Sequence, residues 1–294
     1  MIEKILNKFR YWKDTFKSKK YYETFKNNNI KFISDEEVVN RILDGCNLSR
    51  FGDGEFKWIL GAKQNNFQKQ DEKMQEKLKK VLTEDNSNLI IGITKSFIDV
   101  SDYNKQAKKY WKLFYYRYGK QLLPLLKKSE YANASITRFY MDYENKDDAL
   151  LRLKNIKRIW DNLDIIIVEG DKTLMGVNND LFDNAKSVKR IIVPSVNAFD
   201  KYELIYDSIK KQSKDVLYLL AIGPTATILA SDLSKIGYHA VDIGHLDIEY
   251  EWALAGAKKK KKVEGKYVNE AGGINKKGLN CPDEYLKSII DKIE

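Results

Sequence analysis

This chain has few cysteines and no long apolar run, and it therefore lacks the features of disulfide-rich, zinc-binding and membrane-embedded folds. The only two cysteines, Cys46 and Cys281, lie far apart and lack the spacing of a metal site, which argues against a disulfide framework or a zinc site. No apolar run approaches the roughly 20 residues of a membrane span. The N-terminus also lacks the apolar segment of a signal peptide. We therefore expect a cytoplasmic protein.

The remaining composition is typical of a globular protein. The 294 residues are 43% hydrophobic and 32% charged, which indicates a folded chain with a substantial core. This length suits one large α/β domain or two small ones. The net charge of +10 is the balance of 52 basic and 42 acidic side chains. Because no recognition motif accompanies the basic residues, we expect no nucleic-acid partner.

Short apolar runs alternate with helical patterns along most of the chain. The runs at residues 89–93, 164–168, 190–193 and 216–222 are typical of strands buried on both faces of a parallel sheet. Helical patterns lie at residues 103–126, 150–160, 180–185, 199–211 and 225–236. This alternation predicts an α/β fold with a Rossmann-like, doubly wound and mostly parallel sheet flanked by helices.

The first 30 residues are predicted to form a basic, aromatic helical extension, followed by one α/β domain at residues 31–294. In this extension, lysines and one arginine interleave with aromatic and aliphatic side chains. Such a helix can lie on an anionic membrane surface at the inner face of the membrane, dock a partner protein, or pack on its own domain with a solvated lysine face. A second basic run at residues 258–262 predicts a solvated loop, or a segment near an anionic acceptor.

A polar turn at residues 49–56 places Asp53 and Glu55 two positions apart, with Gly54 between them. It follows a short strand at residues 46–51, and a helix is predicted to begin near Phe56. In an extended or tightly turned segment, this spacing directs both carboxylates to the same side. Two such oxygen ligands suit Mg²⁺ or Mn²⁺ carrying substrate phosphates. An ordinary Asp-Gly turn is the alternative.

Three further segments carry candidate site residues near predicted strand ends. Gly223 precedes Pro224 at a predicted helix start, where free N–H groups can hold a phosphate, although a helix start without a ligand has the same sequence. Arg138 can neutralise a diphosphate or form a structural ion pair. Glu169 follows another strand, where carboxylates hold ribose or metal, and Asn179 lies near the next helix start, where it can also serve as a plain cap.

Residues 242–252 form the densest polar stretch of the chain. His245 follows a predicted strand and can be a metal ligand, a phosphate contact, a general base or a structural residue. Asp247, Glu249 and Glu251 share one face if the segment is a strand and scatter if it is a helix. Asp247 is the first candidate for the base that activates an acceptor hydroxyl.

Four blocks of this chain, at residues 49–56, 168–182, 223–226 and 242–252, together resemble the signature of the GT-D glycosyltransferases. The resemblance covers about residues 30 to 270. It implies transfer of a hexose, of the glucose or galactose type, from a UDP-sugar to a bacterial surface glycan or glycoprotein glycan, with Mn²⁺ or Mg²⁺ held by Asp53 and Glu55. The chain departs from the family pattern at Leu174, where an arginine is frequent, and this leaves the identity of the donor open.

The residue patterns and the resemblance together give candidates for individual roles. The catalytic candidates are Asp53, Glu55, His245 and Asp247. The candidates for binding the donor nucleotide are Arg50, Gly52, Arg138, Glu169, Gly170, Asn179, Gly223 and Thr225.

Two functions from other classes remain open on the sequence. The same carboxylates can serve a metal-dependent phosphohydrolase, which would use water as the acceptor. The net positive charge can instead belong to a non-catalytic basic module that binds nucleic acid or anionic lipid.

Overall fold

A computed structural model describes residues 2–62, 64, 67–271, 273–274 and 281–294. Eight parallel strands form the central sheet in the order β10-β5-β4-β6-β7-β1-β2-β3, and β8 pairs with β9 in a separate antiparallel hairpin. The strands are β1 Asn47–Phe51, β2 Leu89–Ile93, β3 Ala132–Asn133, β4 Asp164–Gly170, β5 Ser187–Val193, β6 Leu217–Ala221, β7 His239–Asp242, β8 Tyr267–Val268, β9 Gly273–Ile274 and β10 Ile289–Lys292.

Ten α-helices accompany these strands in the described part of the chain. They are α1 Ile2–Phe25, α2 Asp35–Leu43, α3 Asp53–Ile59, α4 Glu72–Thr83, α5 Lys105–Leu122, α6 Ala149–Lys157, α7 Tyr202–Lys210, α8 Pro224–Ser234, α9 Leu246–Leu254 and α10 Asp283–Ser288. The predicted Rossmann-like α/β class is confirmed.

The apolar runs of the sequence are continuous because both faces of the sheet are covered. Along β4, Ile166 and Val168 pack into one core cluster, whereas Ile165 and Ile167 pack into another on the opposite face. The first cluster includes side chains of α1, α3, α4, α5, α7 and α8, and the second includes side chains of α2, α6 and α9. A strand between two cores has no solvent-facing side, so alternation with polar residues is absent.

Strand β1 lies where the two halves of the sheet meet. From β1 the chain proceeds to β2 and β3 at one edge, while β7 and the remaining strands lie on its other side. All eight strands are parallel, so their carboxyl ends share one edge of the sheet. In doubly wound folds, ligands bind at this edge near the point where the strand order reverses.

Two local predictions differ from the structure, and one alternative left open by the sequence is decided by it. Helix α3 begins at Asp53 and not near Phe56. Residues 180–185 form turns and not a helix, in a segment that follows the left-handed residues Gly176 and Asn178. Residues 246–254 are helical and not extended, so the three acids of this stretch cannot share one face.

Helix α1 packs against α5 through its last turns. The Tyr22 hydroxyl donates to the Ser96 carbonyl at 2.7 Å, and the Phe25 ring stacks on Tyr115 with centroids 4.7 Å apart. The inner face of α1 is therefore part of the domain core. Within the described residues, no helix is long and apolar enough to cross a membrane.

We expect Asn47 to fix β1 in the middle of the sheet. Its buried side-chain amide donates to the carbonyls of Ala230, in α8, and Tyr238, just before β7, at 3.0 and 2.9 Å. Asn47→Ala should lower the free energy of unfolding by about 2–4 kcal/mol, because two buried carbonyls lose their donor. Denaturant unfolding followed by circular dichroism measures this loss.

The exposed Asn29 provides the control for this substitution, and Asn29→Ala should change stability by less than about 0.5 kcal/mol. Equal stability of the two variants would contradict the structural role of Asn47.

Candidate active site

The centre of the carboxyl edge is held by an ion pair between β1 and β7. The Arg50 guanidinium donates to the Asp242 carbonyl and carboxylate, each at 2.7 Å, and to the Ala134 carbonyl at 3.1 Å. Gly244 lies directly against it: a Cβ at this position would stand 2.0 Å from Arg50 Nη2. Arg50 was predicted to contact the donor nucleotide. Its three guanidinium nitrogens are engaged with protein atoms, and they join three segments of the edge.

Asp53 and Glu55 lie in the first turn of α3, immediately after β1. Glu55 Oε2 accepts from the Gly52 N–H at 2.9 Å, so both of these predicted site residues take part in the helix start. Asp53 accepts from Lys57 Nζ at 2.6 Å and from the Tyr110 hydroxyl. Successive residues of a helix are about 100° apart. The expectation that the two carboxylates point the same way rested on an extended or tightly turned backbone, whereas both residues lie in a helix here.

The two carboxylates of this helix start have opposite pKa shifts. Burial, together with the nearby Asp242 and Asp53 carboxylates, raises the pKa of Glu55 to about 7. Burial alone would also raise the pKa of Asp53, but Lys57 and Tyr110 hold it below its ordinary value. The described residues contain no preformed cluster of three or more His, Cys, Asp or Glu side chains that could hold a metal. A divalent cation here would have few protein ligands, as Mg²⁺ bound to substrate phosphates does.

Arg138 connects the other charged residues of the site. It follows the 3₁₀ turn Ala134–Thr137 after β3 and not a strand directly. Its Nη2 donates to Glu270 at 2.6 Å and lies 3.3 Å from His245 Nδ1, while Nη1 is 4.0 Å from Glu249 Oε1. Its positive charge also helps to lower the pKa of Asp53. The structure therefore brings the predicted residues Asp53, Arg138 and His245 into one site.

His245 is neutral in this environment. Burial, with Arg138 as the next cause, lowers the pKa of His245 to about 4. Because an arginine can only donate, His245 Nδ1 accepts from Arg138 and the ring proton resides on Nε2. Of the roles predicted for His245, the geometry favours a contact that donates from Nε2 over a general base.

Glu249 is fully buried and lies behind Arg138. Its Oε2 accepts from the backbone N–H groups of Tyr140 and Met141 at 3.1 and 2.7 Å, and its Oε1 has no hydrogen-bond partner among the described residues. Burial raises the pKa of Glu249 to about 7, although Arg138 opposes this shift. Glu249 is the one acid of α9 that contacts the site.

Glu270 and Lys260 belong to the site but were not found from the sequence. Glu270 lies in the 3₁₀ turn Asn269–Ala271 and pairs with Arg138 and with Lys260 Nζ, each at 2.6 Å. Lys260 also lies 3.6 Å from Asp142. The only sequence signal was the basic run at residues 258–262, for which proximity to an anionic acceptor was one of the two interpretations.

Asp247 faces away from this cluster, in a buried network on the opposite side of α9. Its carboxylate accepts from Lys266 Nζ at 2.7 and 2.9 Å, from the Gly176 N–H at 3.0 Å and from Asn179 Nδ2 at 2.8 Å. Glu251, four residues later, accepts from the same Lys266 and Asn179. A carboxylate that is buried and paired in this way is poorly suited to activate an acceptor hydroxyl, so the expectation for Asp247 is not supported by its geometry.

Glu169 and Gly170 also lie in the scaffold of the edge. The buried Glu169 accepts from Arg190 Nη1 at 2.5 Å, from the Met175 N–H at 2.8 Å and from the Tyr285 hydroxyl at 3.2 Å. A Cβ on Gly170 would meet Ser195 Oγ at 2.7 Å. These contacts hold the segment after β4, and none of them presents Glu169 to solvent.

Leu174 lies within that segment, in a left-handed conformation with φ of +48°. Its side chain is buried in a small apolar cluster with Val177, Ile192 and Tyr285. The leucine at this position therefore has a packing role in this chain.

The start of α8 is covered by an aromatic ring. Gly223 has a φ of +62°, and a Cβ there would lie 2.4 Å from the Phe67 ring. The Thr225 hydroxyl is buried and has no hydrogen-bond partner within the described residues. The start of α8 thus has the predicted backbone form, but a phosphate reaches it only if Phe67 moves.

Comparison with known proteins identifies relatives of this chain. Residues 48–271 match the family described as glycosyltransferase GT-D fold. The chain is 35% identical to a probable glycosyl transferase Gly of Streptococcus gordonii over 243 residues, which are 82% of this chain and 36% of that protein. It is also 35% identical to the glycosyltransferase GlyD of Streptococcus pneumoniae serotype 4 (strain ATCC BAA-334 / TIGR4) over 237 residues, 80% of this chain and 29% of that protein. The chain thus spans about a third of the length of these relatives.

Solved structures resemble this fold closely. One is described as a highly conserved domain of unknown function 1792 with a distinct glycosyltransferase fold; it has a TM-score of 0.87 and 32% identity, covering 95% of this chain and all of that one. Another, a new glycosyltransferase of the same domain type from Streptococcus sanguinis, has a TM-score of 0.84 and 31% identity, covering 90% of this chain and all of that one.

The raised pKa of Glu249 predicts a specific pH dependence of stability. The folded state holds a proton on this residue up to about pH 7, whereas the unfolded chain releases it near pH 4.3, so the wild type should lose stability as the pH rises from about 5 to 8. Glu249→Gln removes this loss. The variant's free energy of unfolding minus that of the wild type should therefore increase by about 3 kcal/mol as the pH rises over that range.

Denaturant unfolding at several pH values in EDTA measures this difference. The exposed Glu264→Gln serves as the control and should give a profile parallel to that of the wild type. A constant difference between Glu249→Gln and wild type would refute the shifted pKa.

Proposed function

Because the chain belongs to the family of glycosyltransferases with the GT-D fold, we propose that it transfers a hexose, of the glucose or galactose type, from a UDP-sugar to a hydroxyl of a bacterial surface glycan or glycoprotein glycan. The observation that carries the proposal is the convergence of Asp53, Arg138 and His245 at the carboxyl edge of the sheet. This edge is where doubly wound folds bind nucleotides.

The donor diphosphate is assigned to the space beside Asp53 and Arg138. Arg138 is about a quarter exposed, and its planar guanidinium can bind two phosphate oxygens at once. His245 adds a neutral donor at Nε2, which can contact an anionic oxygen without itself titrating near pH 7. Both residues would stabilise the negative charge that develops on the diphosphate as the glycosidic bond breaks.

We assign a Mn²⁺ or Mg²⁺ ion to the first turn of α3. Asp53 would hold it, directly or through water, and Glu55 would act from the same turn. When bound, such a cation neutralises the donor phosphates and stabilises the leaving diphosphate. The Lys57 ammonium lies 2.6 Å from Asp53 in this structure. Its positive charge neutralises the Asp53 carboxylate when no cation is bound.

Gly223 and Thr225 remain proposed contacts of the nucleotide once Phe67 is displaced. The buried Thr225 hydroxyl lacks a partner within the described residues, which is consistent with a ligand that would complete its hydrogen bonding. Glu169, Gly170 and Asn179 are assigned a supporting role, because their contacts lie within the protein.

Release of UDP from a panel of UDP-sugars tests the proposed reaction. We expect the wild type to release UDP from one UDP-hexose in Mn²⁺ or Mg²⁺ and not in EDTA. Asp53→Asn and Glu55→Gln should each lower the rate by at least about 100-fold, the order of loss for one electrostatic contact to the leaving group. Slow hydrolysis suffices for this measurement when no acceptor is present.

The exposed Asp44→Asn is the matched control and should retain full activity. Equal release from UDP-sugars and from simple phosphate esters would identify a phosphohydrolase instead. Absence of both UDP release and metal-dependent UDP binding would refute the proposed function.

Arg138→Lys tests the assignment of the diphosphate. A lysine keeps the charge beside Glu249 and Glu270 but loses the two-point geometry. We expect UDP to bind at least about tenfold more weakly and kcat to fall by about 100-fold. Calorimetric titration with UDP and steady-state kinetics measure the two effects.

Arg117→Lys, at an exposed ion pair on α5, is the control and should change neither quantity. Unchanged UDP affinity in a folded Arg138→Lys variant would place the diphosphate elsewhere.

A further inference from the structure

The outward face of α1 exposes two aromatic side chains. Trp12 is 70% exposed and Phe16 is 80% exposed, which makes them the two most exposed large hydrophobic residues among those described. They are four residues apart and so lie on the same side of the helix. A folded protein rarely exposes neighbouring aromatic rings to this extent unless they contact something else.

Unpaired lysines surround these two rings. Lys13, Lys17, Lys19 and Lys20 are exposed, and none of them forms an ion pair with a described residue. The acids of the same stretch are already neutralised: Asp14 pairs with Arg117 at 3.4 Å, and Glu23 pairs with Lys26 and Lys112 at 2.6 and 3.6 Å. The outward face of α1 is therefore both aromatic and strongly positive.

A groove lies beside this face. Its volume is about 680 Å³, and its wall includes Phe16, Lys17, Lys20, Tyr21 and Leu123. The groove thus joins the exposed helix face to the end of α5, and it has the same combination of apolar surface with lysine ammonium groups.

The inner face of α1 is firmly packed, so the outward face cannot turn inward. Tyr22 and Phe25 are buried, and a Cβ on Gly119 would lie 2.5 Å from the Phe25 ring. Exposure of Trp12 and Phe16 is consequently a fixed property of the folded chain.

We propose that this face of α1 binds the surface of an anionic phospholipid bilayer. Trp12 and Phe16 enter the headgroup region, and Lys13, Lys17, Lys19 and Lys20 contact lipid phosphates. Aromatic rings flanked by lysines are the side chains that interfacial helices use, because the rings bury apolar area while the ammonium groups remain at the phosphate level. A binding site for a neutral protein would gain nothing from four unpaired cations.

The bound membrane would lie close to the candidate active site. Lys109 of α5 packs over the Tyr11 ring at 4.7 Å, and the next residue, Tyr110, donates to Asp53. Helix α5 thus connects the membrane-binding face to the site. The membrane proposal stands on the surface of α1 alone and does not depend on the proposed reaction.

Trp12 provides a direct probe of binding. The four other tryptophans are buried, so a change in emission on adding vesicles reports Trp12. With the full chain, we expect a blue shift with phosphatidylcholine vesicles that contain phosphatidylglycerol, and none with phosphatidylcholine alone. The shift should disappear in Trp12→Phe, and co-sedimentation should show that binding weakens as salt concentration increases.

Two sets of substitutions separate the contributions of charge and insertion. Replacing Lys13, Lys17 and Lys20 by alanine together should weaken binding about 100-fold, or about fivefold per lysine. Trp12→Ala with Phe16→Ala should weaken it at least about tenfold. The matched control replaces Lys73, Lys79 and Lys80 of α4, which are also exposed, and should leave binding within about twofold of wild type.

Several outcomes would overturn the proposal. These are equal binding to both kinds of vesicle, no change in Trp12 emission, or equal weakening by the α4 control. A second copy of the chain is the other possible occupant of this face, and sedimentation analysis tests for it. If the Trp12 and Phe16 variant loses self-association while its vesicle binding is unchanged, the partner is a second copy of the chain. Circular dichroism and thermal unfolding verify that each variant is folded.

Discussion

The ion pair between Arg50 and Asp242 is the contact on which the rest of the edge depends. It joins β1 to β7 across the junction of the two half-sheets and, through the Ala134 carbonyl, also fixes the turn after β3. Both side chains are nearly buried, so removal of one partner would leave an uncompensated charge at a cost of about 3–5 kcal/mol. The Arg50–Asp242 pair therefore sets the distances among the three residues that directly follow these segments, which are Asp53, Arg138 and His245.

Helix α9 divides the remaining charges into two networks. Glu249 faces Arg138, whereas Asp247 and Glu251 face Lys266. The two sets are kept apart because residues two positions apart lie on different sides of a helix. One network remains partly open at the carboxyl edge and serves the proposed reaction. The other is closed and holds the segment after β4, which explains why three acids in one stretch supply only one to the site.

The first helix has apolar side chains on two sides, and this is what distinguishes it from an ordinary surface helix. Tyr22 and Phe25 stack into the domain core, while Trp12 and Phe16 face solvent among lysines. Packing on the domain and contact with a bilayer were alternatives in the sequence. The structure makes them compatible, since the core uses the last turns of α1 and leaves an earlier outward face uncovered.

The sequence by itself determined the α/β class, the positions of β1, β2, β4, β5 and β6, and the start of α8. Apolar runs such as that of β4 are continuous because the strand is buried on both faces, and Pro224 marks a helix start through local backbone chemistry. Only the tertiary structure decided which acid meets which base. Arg138 pairs with Glu270 from 132 positions away, and Asp247 turns to Lys266 because of the rotation of α9. Such pairings depend on how remote segments pack and on the direction of each side chain, and neither is encoded in local spacing.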